Sequence, residues 1–384
     1  MKYFILKITS GEKYKIKIDN PIAKVFPFYF LICLYSLFLG IISEAPVAIM
    51  YIEFFFYALS FLIYYAFIDV FADESLIDIF IKLTILISVI LSIYGFLVFT
   101  FGEKLLINSV TYNSTQRGAL DALLITRRTM SSYGDGNVLG AQLVIFCTII
   151  ITILFNVKSS LLNKLYLLFA FIINSLCLYL TNSRGALIGF ALSLVILLIL
   201  RFRKLWLLLP VGILVFFFIT SQQVSLSETH RFFQKESYEE DIRFSFGDTA
   251  KNIVTNAPLG TGFGLNLDDS FNNIEKCDSI WAGYNSFYLQ VLGRVGLIGM
   301  SLFIFMMFLM LRYFLINLKY ISDPLRKNFV FGASIGIICA QISWYSNNVY
   351  MLPGGLLNFW FLCAMLTIIV SIEKNKIMKA KSDA

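Results

Sequence analysis

Ten long apolar stretches, separated by polar connections, constrain this chain more than any other feature of its sequence. A run of about 20 apolar residues matches the ~30 Å hydrocarbon core of a bilayer, where backbone groups find no water and must bond within a helix. The predicted spans are 25–43, 47–68, 79–101, 138–157, 165–181, 185–200, 205–220, 284–311, 328–345 and 354–372. The sequence therefore predicts an all-α, polytopic transmembrane protein of about ten spans, and a count of roughly nine to twelve spans is compatible with the apolar pattern. The whole chain, 1–384, is predicted to form a single integral membrane domain.

The composition excludes an ordinary soluble fold. Hydrophobic residues make up 58% of the chain and charged residues 14%, whereas soluble domains carry roughly 25% charged residues. The net charge is +7, but the basic residues are scattered between apolar runs instead of sharing one soluble face, so no nucleic-acid binding is expected. Five of the six cysteines lie inside apolar runs, and Cys277 has no loop partner, so neither a disulfide framework nor a metal site is predicted.

The distribution of Lys and Arg predicts the orientation. With the N-terminus inside, 20 of the 31 basic residues fall on inner segments and 11 on outer ones, which follows the positive-inside rule. Both termini are then cytoplasmic, and two long loops, 102–137 and 221–283, are periplasmic. The inner basic residues are mostly lysines, whereas the outer set contains seven arginines. Arginines on outer segments run against the positive-inside rule, so they are candidates for a functional role.

The connection at 181–185, Thr-Asn-Ser-Arg-Gly, places one of these arginines between two apolar runs. A guanidinium at a membrane face, followed by a helix N-terminus, is suited to an anionic head group. The alternative is an interfacial arginine that snorkels to the headgroup layer. The sequence leaves both interpretations of Arg184 open.

The two long loops carry further candidates. Arg127 and Arg128 stand before a Gly/Ser/Asn turn that ends at Asn137, and paired arginines can donate to phosphate oxygens. The second loop, predicted to be large and partly helical, contains the lone His230, which is either a proton-transfer group or plain surface. Its segment 258–264 contains three glycines, which either let the backbone approach a ligand closely or only form a turn.

The run that follows the second loop contains Gly293, Gly296 and Gly299, which predict a bend or close helix packing. Arg294 lies among them and is expected near the outer face. Three other charges, at Glu53, Lys82 and Asp69, fall in or beside apolar runs, where ionisable groups usually pair with one another. Pairing between helices is favoured over an ion path for these three.

Four motifs together resemble the O-antigen polymerase (Wzy-type) and O-antigen ligase superfamily of bacterial envelope glycosyltransferases over about residues 120–311. Residues 180–185 are similar to its T-x-S-R-G turn. Residues 258–264 are similar to its P-x-G-x-G-x-G element, downstream of an arginine that Arg243 supplies. Residues 283–299 are similar to its H-N-x-x-L helix and G-x-x-G bend, and Arg128 with Asn137 resembles an earlier, weaker motif.

The resemblance implies transfer of a glycan from an undecaprenyl-pyrophosphate carrier to an acceptor hydroxyl at the periplasmic face of the inner membrane, with inversion and without a metal or other cofactor. The implied partners are the lipid-linked oligosaccharide and the bilayer, with a chain-length-determinant protein as a further candidate. The catalytic candidates are Arg184, Arg243, Arg128, Tyr284 and Asn285. The substrate-binding candidates are Arg294, Arg127, Ser183, Asn137, Gly262, Gly264 and His230.

One departure from the family pattern bears on the activity. Tyr284 stands where ligase members carry a histidine that activates the acceptor, and a tyrosine of pKa about 10 is a poor base at neutral pH. Glu240, Asp241, Asp248 and His230 are the other candidates for the proton acceptor. The departure favours a polymerase over a ligase that transfers polymer to lipid A core. A glycan flippase or secondary transporter is the alternative of another class, although no internal repeat is visible.

Overall fold

A computed structural model describes residues 18–107, 129, 135–157, 160–201, 246–267, 273–277, 286–345 and 353–382. Its helices are α1 (Phe26–Ile42), α2 (Val47–Phe54), a π-helical turn (Phe55–Leu59), α3 (Ser60–Val70), α4 (Glu74–Ile107), α5 (Gly136–Asn156), α6 (Leu161–Leu180), α7 (Arg184–Leu200), α8 (Phe246–Asn256), α9 (Phe287–Asn317), a 3₁₀ turn (Leu318–Tyr320), α10 (Pro324–Tyr345) and α11 (Pro353–Ser382). Strands β1 (Leu265–Leu267) and β2 (Ile274–Lys276) form an antiparallel ribbon between α8 and α9.

The predicted all-α, polytopic membrane fold is confirmed. Within the ranges given above, six helical segments are long and apolar enough to cross a membrane: Val47–Val70, Glu74–Phe101, Gly136–Asn156, Leu161–Leu180, Phe287–Tyr320 and Pro324–Tyr345. Two more apolar helices, Phe26–Ile42 and Arg184–Leu200, are shorter. The span predicted at 205–220 lies outside the described residues, so the total of about ten and the orientation stay predictions.

The helix α5 lies at the centre of the bundle, against α6, α7 and α10. Its contact with α10 is close because two glycines remove side chains there. A Cβ on Gly332 would lie 2.3 Å from Oγ1 of Thr152, and one on Gly336 would lie 2.7 Å from Cα of Ile145. Small residues at such interfaces let helix backbones approach, which is a main source of association between membrane helices.

We expect the Gly332→Ala substitution to destabilise the bundle by about 1–3 kcal/mol, the usual cost of forcing an extra carbon into a packed core. The thermal midpoint of the detergent-solubilised protein measures the effect. Gly247→Ala on α8 is the matched control, because a Cβ there meets nothing within 4 Å. Equal midpoints for the two variants would contradict the close packing of α5 and α10.

The helices α7 and α10 run antiparallel, which defines the two ends of the bundle. Near the start of α7, Gly189 lies against the carbonyl of Cys339, close to the end of α10. At the other end of the same pair, Arg201 donates to Oδ1 of Asn328 over 3.3 Å. The end at which α7 begins and α10 finishes is called the arginine end below, and the other the lysine end.

An ionic cluster ties four chain segments together at the lysine end. Arg326 pairs with Glu74, Asp78 and Glu373 at 2.8–3.0 Å, and Lys374 pairs with Asp19 at 2.6 Å. Lys376 contacts Glu74 as well. Partial burial alone would lower the pKa of Lys376, but its hydrogen bond to Glu74 and the charges of the nearby carboxylates raise that pKa above its ordinary value. Arg326 lies between the predicted spans 284–311 and 328–345, and Lys374 and Lys376 follow the last span, so the predicted orientation places all three in the cytoplasm.

Candidate functional site

The turn between α6 and α7, residues 181–184, is called the arginine turn. The hydroxyl of Thr181 donates to the carbonyl of Leu178 over 2.7 Å and accepts the N–H of Ser183 at 3.3 Å. Ser183 caps α7 by accepting the N–H of Ala186 at 3.5 Å. These local bonds satisfy backbone groups that helix ends leave open and hold the turn in a single shape. Arg184, the first residue of α7, is only partly buried.

A second helix begins beside this turn. Asp135 caps α5 by accepting the N–H groups of Asn137 and Val138. One turn further along, Gly140 faces the arginine turn, since a Cβ there would lie 2.7 Å from Cβ of Ala186 and 3.2 Å from Oγ1 of Thr181. The first turns of α5 and α7 are therefore neighbours. Both present helix N-termini, whose partial positive charge favours anions, at the arginine end.

Thr129, which was not among the predicted site residues, is buried against the arginine turn. Its N–H donates to the carbonyl of Leu180 over 3.0 Å, and its hydroxyl donates to the carbonyl of Gly95 over 2.6 Å. It thus links α4 to the end of α6. No motif or hydropathy signal marks this contact, because a threonine in a loop is unremarkable until its partners are known.

The helix α9 bends at Gly296, where φ is 70° and ψ is −174°. The predicted bend in this glycine-rich run is thereby confirmed. A broken helix leaves N–H and C=O groups that need partners elsewhere, and residues 258–264, the glycine strap, supply them. The N–H of Thr261 donates to the carbonyl of Gly293 over 2.7 Å, and the N–H of Leu297 donates to the carbonyl of Pro258 over 2.9 Å.

The glycines of the strap are required by their backbone angles and their packing. Gly260, Gly262 and Gly264 have φ of 87°, 97° and 74°, in the left-handed region where a side chain is disfavoured. A Cβ on Gly260 would lie 2.6 Å from the carbonyl oxygen of Arg294, and one on Gly262 would lie 3.0 Å from that of Ser36. The strap thus approaches helices α1 and α9 closely. The predicted substrate contacts of Gly262 and Gly264 stay predictions.

Phe263 anchors the strap among the helices. Its side chain is fully buried, its ring stacks on Tyr57 at 5.5 Å and lies edge-on to Phe54 at 6.0 Å. Its N–H donates to the carbonyl of Ser36 over 3.1 Å. Tyr57 belongs to the π-helical turn, a local irregularity often found at functional sites.

A buried ion pair joins the strap to the helices. Nε of Arg294 lies 2.9 Å from Oε1 of Glu53, and the two side chains are 1% and 0% exposed. The other carboxylate oxygen, Oε2 of Glu53, accepts the N–H of Gly264 at 2.7 Å. Arg294 also donates to the carbonyl of Leu265 and contacts Sγ of Cys277 at 3.3 Å. The pair therefore holds α2, α9, the strap and the end of the β-ribbon together.

This pair refines two expectations. Glu53 pairs between helices as predicted, and its partner is Arg294, whose side chain is enclosed at the arginine end. The predicted place of Arg294 near the outer face depends on the orientation and stays a prediction. The need for a partner was visible in the sequence, because an intramembrane carboxylate is costly when unpaired. Which cation fills that need depends on the bend in α9. The substrate contact predicted for Arg294 stays a prediction.

The arginine turn and the strap lie at the same end of the bundle, on two sides of α10. The helix α7 packs on α10 through Gly189 and Cys339. The helix α9 contacts the last turns of α10, where Phe287 lies 5.7 Å from Trp344 and Tyr288 donates to Gln341.

The predicted site residues that the structure describes fall into two groups at this end of the bundle. Arg184, Ser183 and Asn137 belong to the first group, and Gly262, Gly264 and Arg294 to the second. Arg127, Arg128, His230, Arg243, Tyr284 and Asn285 lie outside the described residues.

The comparison with known families covers both groups except Asn137. Residues 169–304 match the O-antigen ligase family. The predicted resemblance to the O-antigen polymerase and ligase superfamily is confirmed. The matched segment runs from the middle of α6 through the arginine turn and the strap into α9, beyond the bend at Gly296. It supports a membrane enzyme of the O-antigen ligase or polymerase type, with lipid-linked polysaccharide as substrate.

A search of curated proteins finds no relative that matches the chain. Across the part of the chain that the structure describes, no three His, Cys, Asp or Glu side chains gather in a way that could hold a metal ion. The metal-independent mechanism implied by the O-antigen ligase family stays a prediction.

Proposed function

We propose that the protein is a polymerase of lipid-linked O-antigen or a related surface polysaccharide. It transfers the growing glycan from undecaprenyl-pyrophosphate to the non-reducing end of another lipid-linked repeat unit, at the periplasmic face of the inner membrane. One observation carries the proposal: within the segment that matches the O-antigen ligase family, Arg184 opens a helix whose N-terminus lies beside that of α5. Arginine and helix N-termini are the groups that bind phosphate.

The chemistry of the transfer explains why such groups are needed. As the bond between the sugar and the pyrophosphate breaks, negative charge collects on the leaving phosphate. Groups that meet this charge stabilise the transition state more than the bound substrate and so accelerate the reaction. We propose Arg184, Arg128 and Arg243 for this role, with Ser183 and Asn137 beside them and Tyr284 and Asn285 on the acceptor side.

The location at one end of a helical bundle also suits the substrate. The carrier has a long isoprenoid tail that is soluble only among lipid chains and apolar helices, whereas its pyrophosphate and glycan are polar. A cationic turn at the end of apolar helices can receive the headgroup while the tail stays in the bilayer. Within the bundle, α7 is apolar and partly exposed beyond its first turn, as contact with lipid or with an isoprenoid requires.

Two observations favour the polymerase over its alternatives. Tyr284 replaces the histidine of ligase members, which removes the base assigned to acceptor activation there. The intramembrane carboxylate Glu53 is held by Arg294 and by the N–H of Gly264, as a structural group would be. A transporter instead places such charges along a substrate path.

The test uses the purified protein in lipid vesicles with a synthetic undecaprenyl-pyrophosphate repeat unit. We expect a ladder of longer glycans that remain on the carrier lipid, with release of undecaprenyl pyrophosphate. Product formed only after lipid A core is added would indicate the ligase. Translocation of the repeat across the vesicle without a new glycosidic bond would indicate the flippase, and either result would overturn the polymerase.

A further inference from the structure

Thr129 makes two contacts that connect separate parts of the bundle. Its side chain is fully buried, its hydroxyl donates to the carbonyl of Gly95 in α4 over 2.6 Å, and its N–H donates to the carbonyl of Leu180 over 3.0 Å. Leu180 is the last residue of α6. The last carbonyls of a helix have no partner inside it, so a donor from elsewhere fixes where that helix ends.

The fit at α4 depends on a missing side chain. A Cβ on Gly95 would lie 2.7 Å from Sγ of Cys177 and 3.3 Å from Oγ1 of Thr129. The helices α4 and α6 therefore meet closely at Gly95, and Thr129 occupies the space at their junction. Its hydroxyl is enclosed by protein and directed at one acceptor.

The anchor lies next to the proposed phosphate-binding groups. Only three residues separate Leu180 from Arg184, and local hydrogen bonds through Thr181 and Ser183 hold them in one shape. Gly140 of α5 closes the other side of this turn. A shift of the end of α6 is therefore passed on to the first residue of α7.

We propose that Thr129 is a positioning residue of the glycan-transfer site: it fixes the end of α6 and thereby the place of Arg184. This inference rests on the proposed function. Thr129 acts through the arginine turn and needs no contact with substrate. Stabilisation of a leaving group depends on placement, since a shift of about 1 Å in a catalytic geometry can cost up to about a hundredfold in rate.

The test compares Thr129→Val, Thr129→Ser and Thr100→Ala in the vesicle assay. Valine keeps the shape of threonine and the backbone N–H but removes the hydroxyl, while serine keeps the hydroxyl. Thr100 is the matched control, because it lies on the same helix as Gly95 and its hydroxyl donates only to its own helix, at the carbonyl of Phe96 over 2.9 Å. Thermal midpoints are measured for all three variants.

We expect Thr129→Val to lower kcat about tenfold at an unchanged KM for the lipid-linked donor, the pattern of a lost transition-state interaction. Thr129→Ser should restore the rate to within about twofold of the wild type. Hydrogen exchange at residues 178–186 should speed up in the valine variant and not in Thr100→Ala. A purely structural role would change the midpoint and leave kcat of the folded fraction intact.

The outcomes separate the inference from the proposed function. Wild-type protein that forms no polymer overturns the proposed function and, with it, this role of Thr129. Active wild type with an equally active Thr129→Val variant overturns the inference alone. A serine variant as slow as the valine variant does the same, because the hydroxyl would then not be the group that matters.

Discussion

Replacement of Arg294 by methionine is expected to reduce the free energy of unfolding by about 3–5 kcal/mol, the cost of leaving one member of a buried ion pair without its partner. The carboxylate of Glu53, which is 0% exposed, would keep the N–H of Gly264 but lose its cationic partner. The carbonyl of Leu265 would lose its guanidinium donor too. The yield of folded, monodisperse protein and its thermal midpoint in detergent measure the loss.

A double-mutant cycle isolates the charge pair from the other contacts of Arg294. Glu53→Gln alone leaves a buried cation, whereas Glu53→Gln combined with Arg294→Met leaves no unpaired charge. We therefore expect the double variant to be less destabilised than the sum of the two single variants. Additive losses would show that the attraction between the two charges does not hold the strap.

The control for this cycle is the ion pair of Lys276 and Glu44, which also joins the β-ribbon to the turn after α1. Its atoms are 3.5 Å apart and its side chains are 53% and 87% exposed. Exposed pairs contribute at most about 1 kcal/mol. Lys276→Met should therefore barely change the midpoint, and an Arg294→Met variant that melts at the same temperature would contradict the buried role.

The apolar spans could be predicted from sequence because a bilayer imposes one requirement on every residue in it. The spans predicted at 47–68 and 138–157 appear as Val47–Val70 and Gly136–Asn156, within two residues at each end. The span predicted at 79–101 begins earlier, at Glu74, because its polar first turn pairs with Arg326 and Lys376 at the lysine end. The apolar pattern from which the span was predicted does not include such a polar helical turn.

The contacts that build the site could be predicted only in part. The glycines at 293–299 predicted a bend or close helix packing, and the bend occurs at Gly296, where φ of 70° with ψ of −174° favours a residue without a side chain. Nothing in the sequence showed that the strap would supply the missing hydrogen bonds of that bend. The pairing of Glu53 with Arg294 spans 241 positions, and such a distance in sequence is bridged only by the packing of α2 against the strap and α9.

The alanine variant of Arg184 is expected to lower the rate of glycan transfer about a hundred- to a thousandfold, the usual effect of removing one donor that faces charge developing in a transition state. Arg184→Lys should retain part of the rate, because it keeps the charge but not the planar fork of donors that matches a phosphate. In cells, the alanine variant should leave single repeat units in place of long surface chains, with normal amounts of protein in the membrane.

Arg201 provides the matched control, since it lies at the opposite end of the same helix and donates to Asn156 and Asn328 at 3.2 and 3.3 Å. Its alanine variant removes an arginine from α7 at the lysine end, where the proposed function needs none. We expect this variant to polymerise at a rate within about twofold of the wild type. If Arg184→Ala still makes long chains, or if Arg201→Ala loses activity to the same extent, the leaving-group role of Arg184 is wrong. The positive end of α7 would then serve the stability of the bundle alone.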